Sequence, residues 1–335
     1  MNVLALYKKS RPYSSYVIFG VLLALAPLMV NLGVLRFFHL TLIAGVVIYA
    51  IVALGLNLLM GYAGLVSLGT AAFMGVGAYL TAFFTQDLGM DFLPSIVLTV
   101  VITSILGILV GLLSLRVEGF FLAMATLAVA EILRQVFIEF TGFTNSFVGR
   151  TANFPEFFGF TMNRNQTFIL LVVFLVLAMF VTQSFANSYT GRALSAMRGS
   201  EAAASAMGIN IFKYRLIAFS VSTAYAGLGG ALYMHFIRFT FPNVWMFTLS
   251  LMLFAVVVIG GVRSVAGTVV GAFVVFGVPD LILVNIPVIG DINGMAFVFT
   301  GVLIIVVVMY YPAGLIYIWH DIKVLVHKVR GRGKV

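Results

Sequence analysis

Residues 40–60 read LTLIAGVVIYAIVALGLNLLM, an uncharged run whose polar residues are Thr41, Tyr49 and Asn57. A helix needs roughly 20 predominantly apolar residues to cross the ~30 Å hydrocarbon core of a bilayer. This run is long enough. Its apolar residues fall on every face, without the alternation of a strand or the single stripe of a surface helix. Nine further stretches share its character: Tyr16–Val34, Ala63–Phe84, Leu93–Leu115, Gly119–Phe140, Phe168–Phe185, Leu216–Ile237, Met246–Val262, Val265–Val284 and Gly294–Tyr311. The expected fold is an all-α polytopic membrane protein of about ten transmembrane helices. The run at 40–60 nearly touches the next across Gly61 and Tyr62, and Met246–Val262 nearly touches its successor across Arg263 and Ser264. Each pair is either a tight hairpin or includes a broken helix, so the range is eight to ten spans.

Composition agrees. The 335 residues are 62% hydrophobic and 9% charged, against about 25% charged in soluble domains. Too few charges are present to cover a water-soluble body of this size. Cysteine is absent, which excludes disulfides and thiolate chemistry. Glycine is abundant, and Gly107/Gly111 and Gly267/Gly271 have the GxxxG spacing that lets helix backbones approach in lipid. Glycine is also simply common in membrane helices, so the spacing alone leaves both readings open.

The net charge of +9 would suggest nucleic acid in a soluble protein; here membrane orientation explains it. With ten spans both termini lie on one side. Of the 19 Lys and Arg, only Arg36, Arg150, Arg164 and Arg238 then fall outside and Arg134 within a span, leaving fourteen on the cytoplasmic side. The first span follows Lys8, Lys9 and Arg11 like a signal peptide, but its apolar run is long and no clear A-x-A site follows, so it reads as a retained anchor. The basic tail, 323–335, reads as an orientation signal with affinity for anionic lipid.

One polar cytoplasmic loop, 186–215, stands apart. Ser200 is placed to cap a helix whose N-terminus Glu201 complements; Ala202, Ala203, Ala204 and Ala206 favour it, and Gly208 stops it. A short helix about 10 Å long follows. It suits a docking peg for a soluble partner, or equally an interfacial loop helix without one.

Here the chain resembles a known family. Glu201-Ala-Ala followed by Gly208 resembles the EAA loop of ABC importer permeases, with four residues between Ala203 and Gly208 where the general pattern has three. Gly191-Arg-Ala-Leu-Ser-Ala-Met-Arg198, Lys213-Tyr-Arg-Leu-Ile-Ala-Phe219 and Ala226-Gly-Leu-Gly-Gly-Ala-Leu-Tyr233 are similar to the LivM-type branched-chain amino-acid permeases. So are the stretches 55–79, 115–134 and 260–273. In these, Leu65 and Thr70 stand where the family has Gln and His, Glu118 stands for a basic or polar residue, and Arg263 and Thr268 stand for Gly and Pro. The resemblance implies a single permease domain over residues 1–335 with the type II ABC importer fold, in a bacterial inner membrane. It implies no catalytic residues and no cofactor bound by this chain. The implied partners are a second permease subunit (the same chain or a sister), two cytoplasmic ATP-binding subunits that carry ATP-Mg, and an external solute-binding protein. The resemblance places Gly191, Arg192, Arg198, Ser200, Glu201, Ala202, Ala203 and Gly208 in the ATPase-coupling loop.

Within the spans, Glu131 and Arg134 are spaced to pair across one helical turn, either as a structural ion pair of the bundle or a subunit contact, or as part of the path. Asn57, Ser67, Thr70 and Thr126 are candidates for lining a weakly polar path, or for hydrogen bonds between helices. No GxxxxGK[ST] P-loop, HExxH or other metal spacing occurs, and His39, His235, His320 and His327 are scattered. A gradient-driven secondary transporter of a small apolar solute is the alternative, and it needs midplane carboxylates, of which only Glu131 is well placed.

Overall fold

The structure, a computed structural model, describes residues 3–31, 37–117, 119–157, 159–281, 294–310 and 314–315. The basic tail at 323–335, Arg36, Glu118, His320 and His327 lie outside these residues, as do the ends of several expected spans. In chain order the helices are α1 (Val3–Ala24), α2 (Ala26–Asn31), α3 (Phe37–Asn57), α4 (Thr70–Ala82), α5 (Phe92–Ser114), α6 (Phe120–Glu139), α7 (Thr141–Thr144) and α8 (Arg164–Asn187). They continue with α9 (Tyr189–Gly199), α10 (Glu201–Ala206), α11 (Ile211–Ile237), α12 (Phe247–Gly260), α13 (Val265–Ala272), α14 (Val278–Leu281) and α15 (Met295–Tyr310). Single π turns extend α3 through Leu58–Tyr62, α4 through Phe83–Asp87 and α13 through Phe273–Gly277. Among the described residues, six helical stretches are long and apolar enough to cross a membrane: Tyr13–Val30, Phe38–Tyr62, Phe92–Ser114, Phe120–Glu139, Arg164–Asn187 and Ile211–Ile237. Phe247–Gly260, Val265–Gly277 and Phe297–Val307 are apolar but shorter.

The bundle is inside-out relative to a soluble protein, and α5 shows why. Ser95, Thr99, Thr103, Gly107 and Gly111 recur every fourth residue and are buried, while Val97, Val101, Ile105 and Leu109 point outward. Apolar side chains gain nothing by leaving lipid, so the small face is the one that packs. It meets α11: Ser104 and Ser220 hydroxyls lie 2.7 Å apart, and a side chain at Gly107 would strike Thr223. The second glycine pair also sits at a close contact, because a Cβ at Gly267 would meet the Gly260 carbonyl and one at Gly271 that of Val256. Helix α11 is the central post, packed on α3, α4 and α5.

The two uncertain pairs resolve differently. The eighth and ninth expected spans form a tight hairpin: α12 ends at Gly260, and the chain turns through Gly261 (φ +111°) and Arg263 (φ +70°) into α13. The third expected span, Ala63–Phe84, is not one helix. Residues 63–69 are irregular, and α4 starts only at Thr70. Irregular backbone at membrane depth is stable only when protein meets its polar groups. Here Leu65 N–H donates to Leu59 O (3.2 Å) and Leu68 N–H to Thr126 Oγ1 (3.0 Å). The buried start of α4 is held by Ala71 N–H donating to Ser250 Oγ (3.0 Å).

The polar ends sort as the charge distribution requires. At one end Arg150 pairs with Asp87, Arg164 bonds Thr41 Oγ1, and β1 (Arg150–Thr151) pairs with β4 (Phe239–Thr240). A short hairpin, β2 (Glu156–Phe157) with β3 (Phe160–Thr161), lies in the same loop as β1. Arg198, Arg215 and Arg263 gather at the other end, around α9 and α10.

Candidate functional site: the α9–α10 knob and its mountings

The loop between α8 and α11 is built from two helices, not the single one expected. Each of its three helix starts is capped by a side chain: Ser188 Oγ accepts from Gly191 N–H (3.3 Å), Ser200 Oγ from Ala203 N–H (3.3 Å), and Asn210 Oδ1 from Lys213 N–H (3.0 Å). These caps satisfy N-terminal donors that a helix leaves free. Gly208, at φ +80°, ends α10 in the left-handed conformation, with Gly208 N–H on Ser205 O and Ile209 N–H on Ala204 O. Ser200, Glu201 and Gly208 therefore take the local positions their residue types suggest.

The knob is mounted at four points. Gly191 is buried against the end of α8, where a side chain would strike the Ala186 carbonyl, and Arg192 Nη1 donates back to Asn187 O (2.8 Å). Arg198 reaches from the C-terminal end of α9 to the Gly61 carbonyl below α3. Arg263 of the α12–α13 turn donates to Ser195 Oγ (2.7 Å) and lies 5.2 Å from the Tyr62 ring centre. Arg215, buried in the first turns of α11, pairs with Glu201. Burial, with the Arg263 charge beside it, lowers the Arg198 guanidinium pKa below its ordinary value. The Gly61 carbonyl offsets part of that cost.

What α10 leaves exposed is mostly alanine, with Glu201 and Ser205 beside it. In α10 only Ala204 is buried; Ala202, Ala203 and Ala206 face out, and Met207 is 83% exposed. A firmly held knob with an alanine surface and a methionine tip is shaped to enter a groove.

The intramembrane candidates fall into two groups. Asn57 (2% exposed) spends its amide on the α12–α13 turn: its Nδ2 donates to Gly261 O (3.4 Å), Ser264 O (3.2 Å) and Thr268 Oγ1, while Oδ1 accepts from Arg263 N–H (2.8 Å). Ser67, Thr70 and Thr126 are buried where the 63–70 segment packs on α6, and Thr126 both accepts from Leu68 N–H and donates to Ala123 O (3.0 Å). All four are buried in this conformation. Glu131 and Arg134 do pair, with Arg134 Nε 3.0 Å from both carboxylate oxygens, but on the outer face of α6, where the Glu131 side chain is 59% exposed. Gln135 donates to Glu139 (3.0 Å) farther along the same face. The mounting roles of Arg215 and Arg263 escape sequence reading. A basic residue in the first turn of a span and one in a tight turn look like orientation charges until the fold sets them against Glu201 and Ser195.

Residues 38–308 match the family model described as branched-chain amino acid transport system / permease component. The chain is 29% identical over 315 residues to the high-affinity branched-chain amino acid transport system permease protein LivM of Escherichia coli (strain K12), covering 87% of this chain and 71% of that one. A probable branched-chain amino acid transport permease protein LivM of Methanocaldococcus jannaschii is 25% identical, over 80% of this chain and 90% of its own. The probable permease protein LivH of the same organism is 26% identical, over 70% and 78%. No solved structure matches the chain.

Proposed function

Because the chain belongs to the branched-chain amino acid transport permease family and is a multi-pass membrane protein, we propose that it is a permease subunit of an ATP-driven importer for leucine, isoleucine and valine or closely related solutes. The observation that carries the reading is the α9–α10 knob, a rigidly mounted helix pair presenting an alanine and methionine surface at one end of the bundle. In this reading the knob enters a groove on a separate ATP-binding subunit. ATP-Mg is held there, and this chain performs no chemistry of its own. Movements of the ATPase reach the spans through Arg215 into α11, through Arg263 into the α12–α13 hairpin and through Arg198 into the end of α3.

The outer face of α6 supports a second permease subunit. Glu131 lies about 17 Å along a helix that crosses the membrane, and an exposed ion pair at that depth is costly against lipid. A partner subunit covering Glu131, Gln135 and Glu139 relieves that cost, and two such subunits enclose the path between them. The family resemblance and the basic residues around the knob favour a type II architecture of about ten spans, with the knob and both termini cytoplasmic in a bacterial inner membrane. The opposite end then receives the solute-binding protein. Ser67, Thr70 and Thr126 line the path only in a conformation where the 63–70 segment parts from α6. The test is leucine uptake into liposomes holding this chain with its partner permease, ATPases and binding protein. Dependence on ATP supports the proposal, and uptake by this chain alone on an ion gradient refutes it.

A further inference from the structure

At the end of the bundle away from the knob, a cavity of about 100 Å³ opens between the loop entering α5, the 153–156 segment and the last turns of α11. Phe92 and His235 form its buried floor, Asn153 and Glu156 are exposed at its rim, and Asp91 and Phe154 line the space between. The transport proposal uses none of these groups.

His235 decides the chemistry. It is only 2% exposed, and its Nδ1 lies 3.4 Å from the Asn153 carbonyl oxygen. A carbonyl oxygen only accepts, so Nδ1 carries the proton, and Nε2 of the neutral ring presents a lone pair. That Nε2 is buried and has no hydrogen-bond partner among the described residues. Asp91 is the second unusual group. It stands at the N-cap of α5, where an aspartate ordinarily accepts from the helix N–H groups, yet its side chain makes no capping bond, and the residue lines the cavity. Glu156 adds a second carboxylate. The described arginines at this end have other partners. Arg150 pairs with Asp87, while Arg238 donates to Ala152 O (3.2 Å) and lies 4.6 Å from the Phe154 ring centre. Neither lines the cavity.

A lone-pair nitrogen and two carboxylates make up a donor-seeking, cation-favouring wall. The described residues hold no group of three metal ligands, which disfavours a metal ion. We propose that this cavity is a recognition site for a primary ammonium group. Its N–H donors find their acceptors among His235 Nε2 and the Asp91 and Glu156 carboxylates, which line the cavity without forming a group of three around one point. The volume equals roughly three waters' share of liquid, so the site takes the amine end of a molecule and leaves the rest in solution. That amine is either the α-ammonium of a free amino acid or a lysine tip of a protein docking on this face.

The chain, labelled with [15N]histidine and held in lipid nanodiscs, tests this. The His235 signal is assigned by its loss in His235→Gln, and methylammonium and tetramethylammonium are titrated at matched ionic strength. Methylammonium is expected to shift the Nε2 resonance saturably, with at least tenfold weaker binding in Asp91→Asn and Glu156→Gln. Both of these substitutions lie outside the packed floor. Tetramethylammonium, which has no N–H, is expected to leave the resonance in place. No saturable shift, or equal responses to the two ions, overturns the proposal and leaves a cavity that holds water only. Leucine reproducing the shift identifies the amino-acid ammonium. A shift produced by added solute-binding protein and lost on acetylating its lysines identifies a docking lysine. A methylammonium shift that neither reproduces means an adventitious ion only, and also overturns the assignment. The methylammonium titration needs no transport, so its failure leaves the importer proposal untouched.

Discussion

Replacing Asn57 with leucine is expected to destabilise the protein by about 2–4 kcal/mol, and the structure says where that energy resides. Leucine nearly conserves the volume, so the cost is polar. Thr268 Oγ1 keeps its bond to Ser264 O (2.9 Å), and Ser264 O keeps that donor. One group is orphaned, Arg263 N–H, which donates to Asn57 Oδ1 at 2.8 Å; Gly261 O loses its 3.4 Å bond but still accepts from Ser264 N–H (3.2 Å). An unmet buried donor costs ~1–3 kcal/mol and a weak bond about 1. Arg263 also sits at φ +70°, a conformation that non-glycine residues adopt only when surrounding contacts hold it. Asn57→Asp is expected to be at least as damaging. It keeps the acceptor for Arg263 N–H but turns a carboxylate oxygen toward the Gly261 and Ser264 carbonyls. The assay is thermal unfolding in nanodiscs, alongside leucine uptake by the reconstituted complex. The expected result is a lowered midpoint and weakened uptake in both variants, because the turn they loosen carries the Arg263–Ser195 mounting. A variant with wild-type stability and only an altered KM for leucine would make Asn57 a path-lining residue and refute the reasoning.

Three further outcomes follow from the same geometry. Gly208→Ala should cost ~1 kcal/mol from left-handed strain alone, since no atom lies within 4 Å of the added Cβ; faster amide exchange over 200–209 checks this, with Gly208→Asn milder. Gly230→Val should abolish folded protein in the membrane fraction, because its Cβ would sit 1.9 Å from the Met74 carbonyl of α4 and backbone cannot yield; Gly199→Ala, with open space around it, should be tolerated. A spin label at Gln135→Cys, specific because the chain has no native cysteine, should lose collisions with lipid-dissolved oxygen once the permease pair assembles. Unchanged accessibility would place the α6 face against lipid.

The sequence carries the class of fold and the local grammar of the knob, but not its mountings. Ser200 and Gly208 flank α10 as their residue types dictate, because capping and the left-handed stop depend on neighbours a few residues away. Helix α9 is missed because 189–199 contains Gly191, Gly199 and two arginines. Its signals are Ser188, placed to cap it, and the helical spacing of the buried Ala193, Leu194 and Met197. The third span reads as one run because hydropathy records what lipid or protein interior tolerates, not whether the backbone is helical. Gly61 already allows a break there, while Gly64 and Gly69 extend it only in hindsight. Asn57 reads either as a path residue or as a hydrogen-bonding group between helices for a related reason. A lone polar group in an apolar helix looks functional until its partner, 204–211 residues later in the chain, is known.

The most direct test of the central claim is ATP-dependent leucine uptake by the reconstituted complex with wild-type chain and with Glu201→Lys. The substitution sets a lysine against Arg215 and replaces an attractive contact at the base of the knob with a repulsive one. The account predicts uptake that requires ATP in the wild type and is lost in the variant, with ATPase binding or hydrolysis altered. Uptake that proceeds without ATP on a proton or sodium gradient, indifferent to Glu201→Lys, would contradict it.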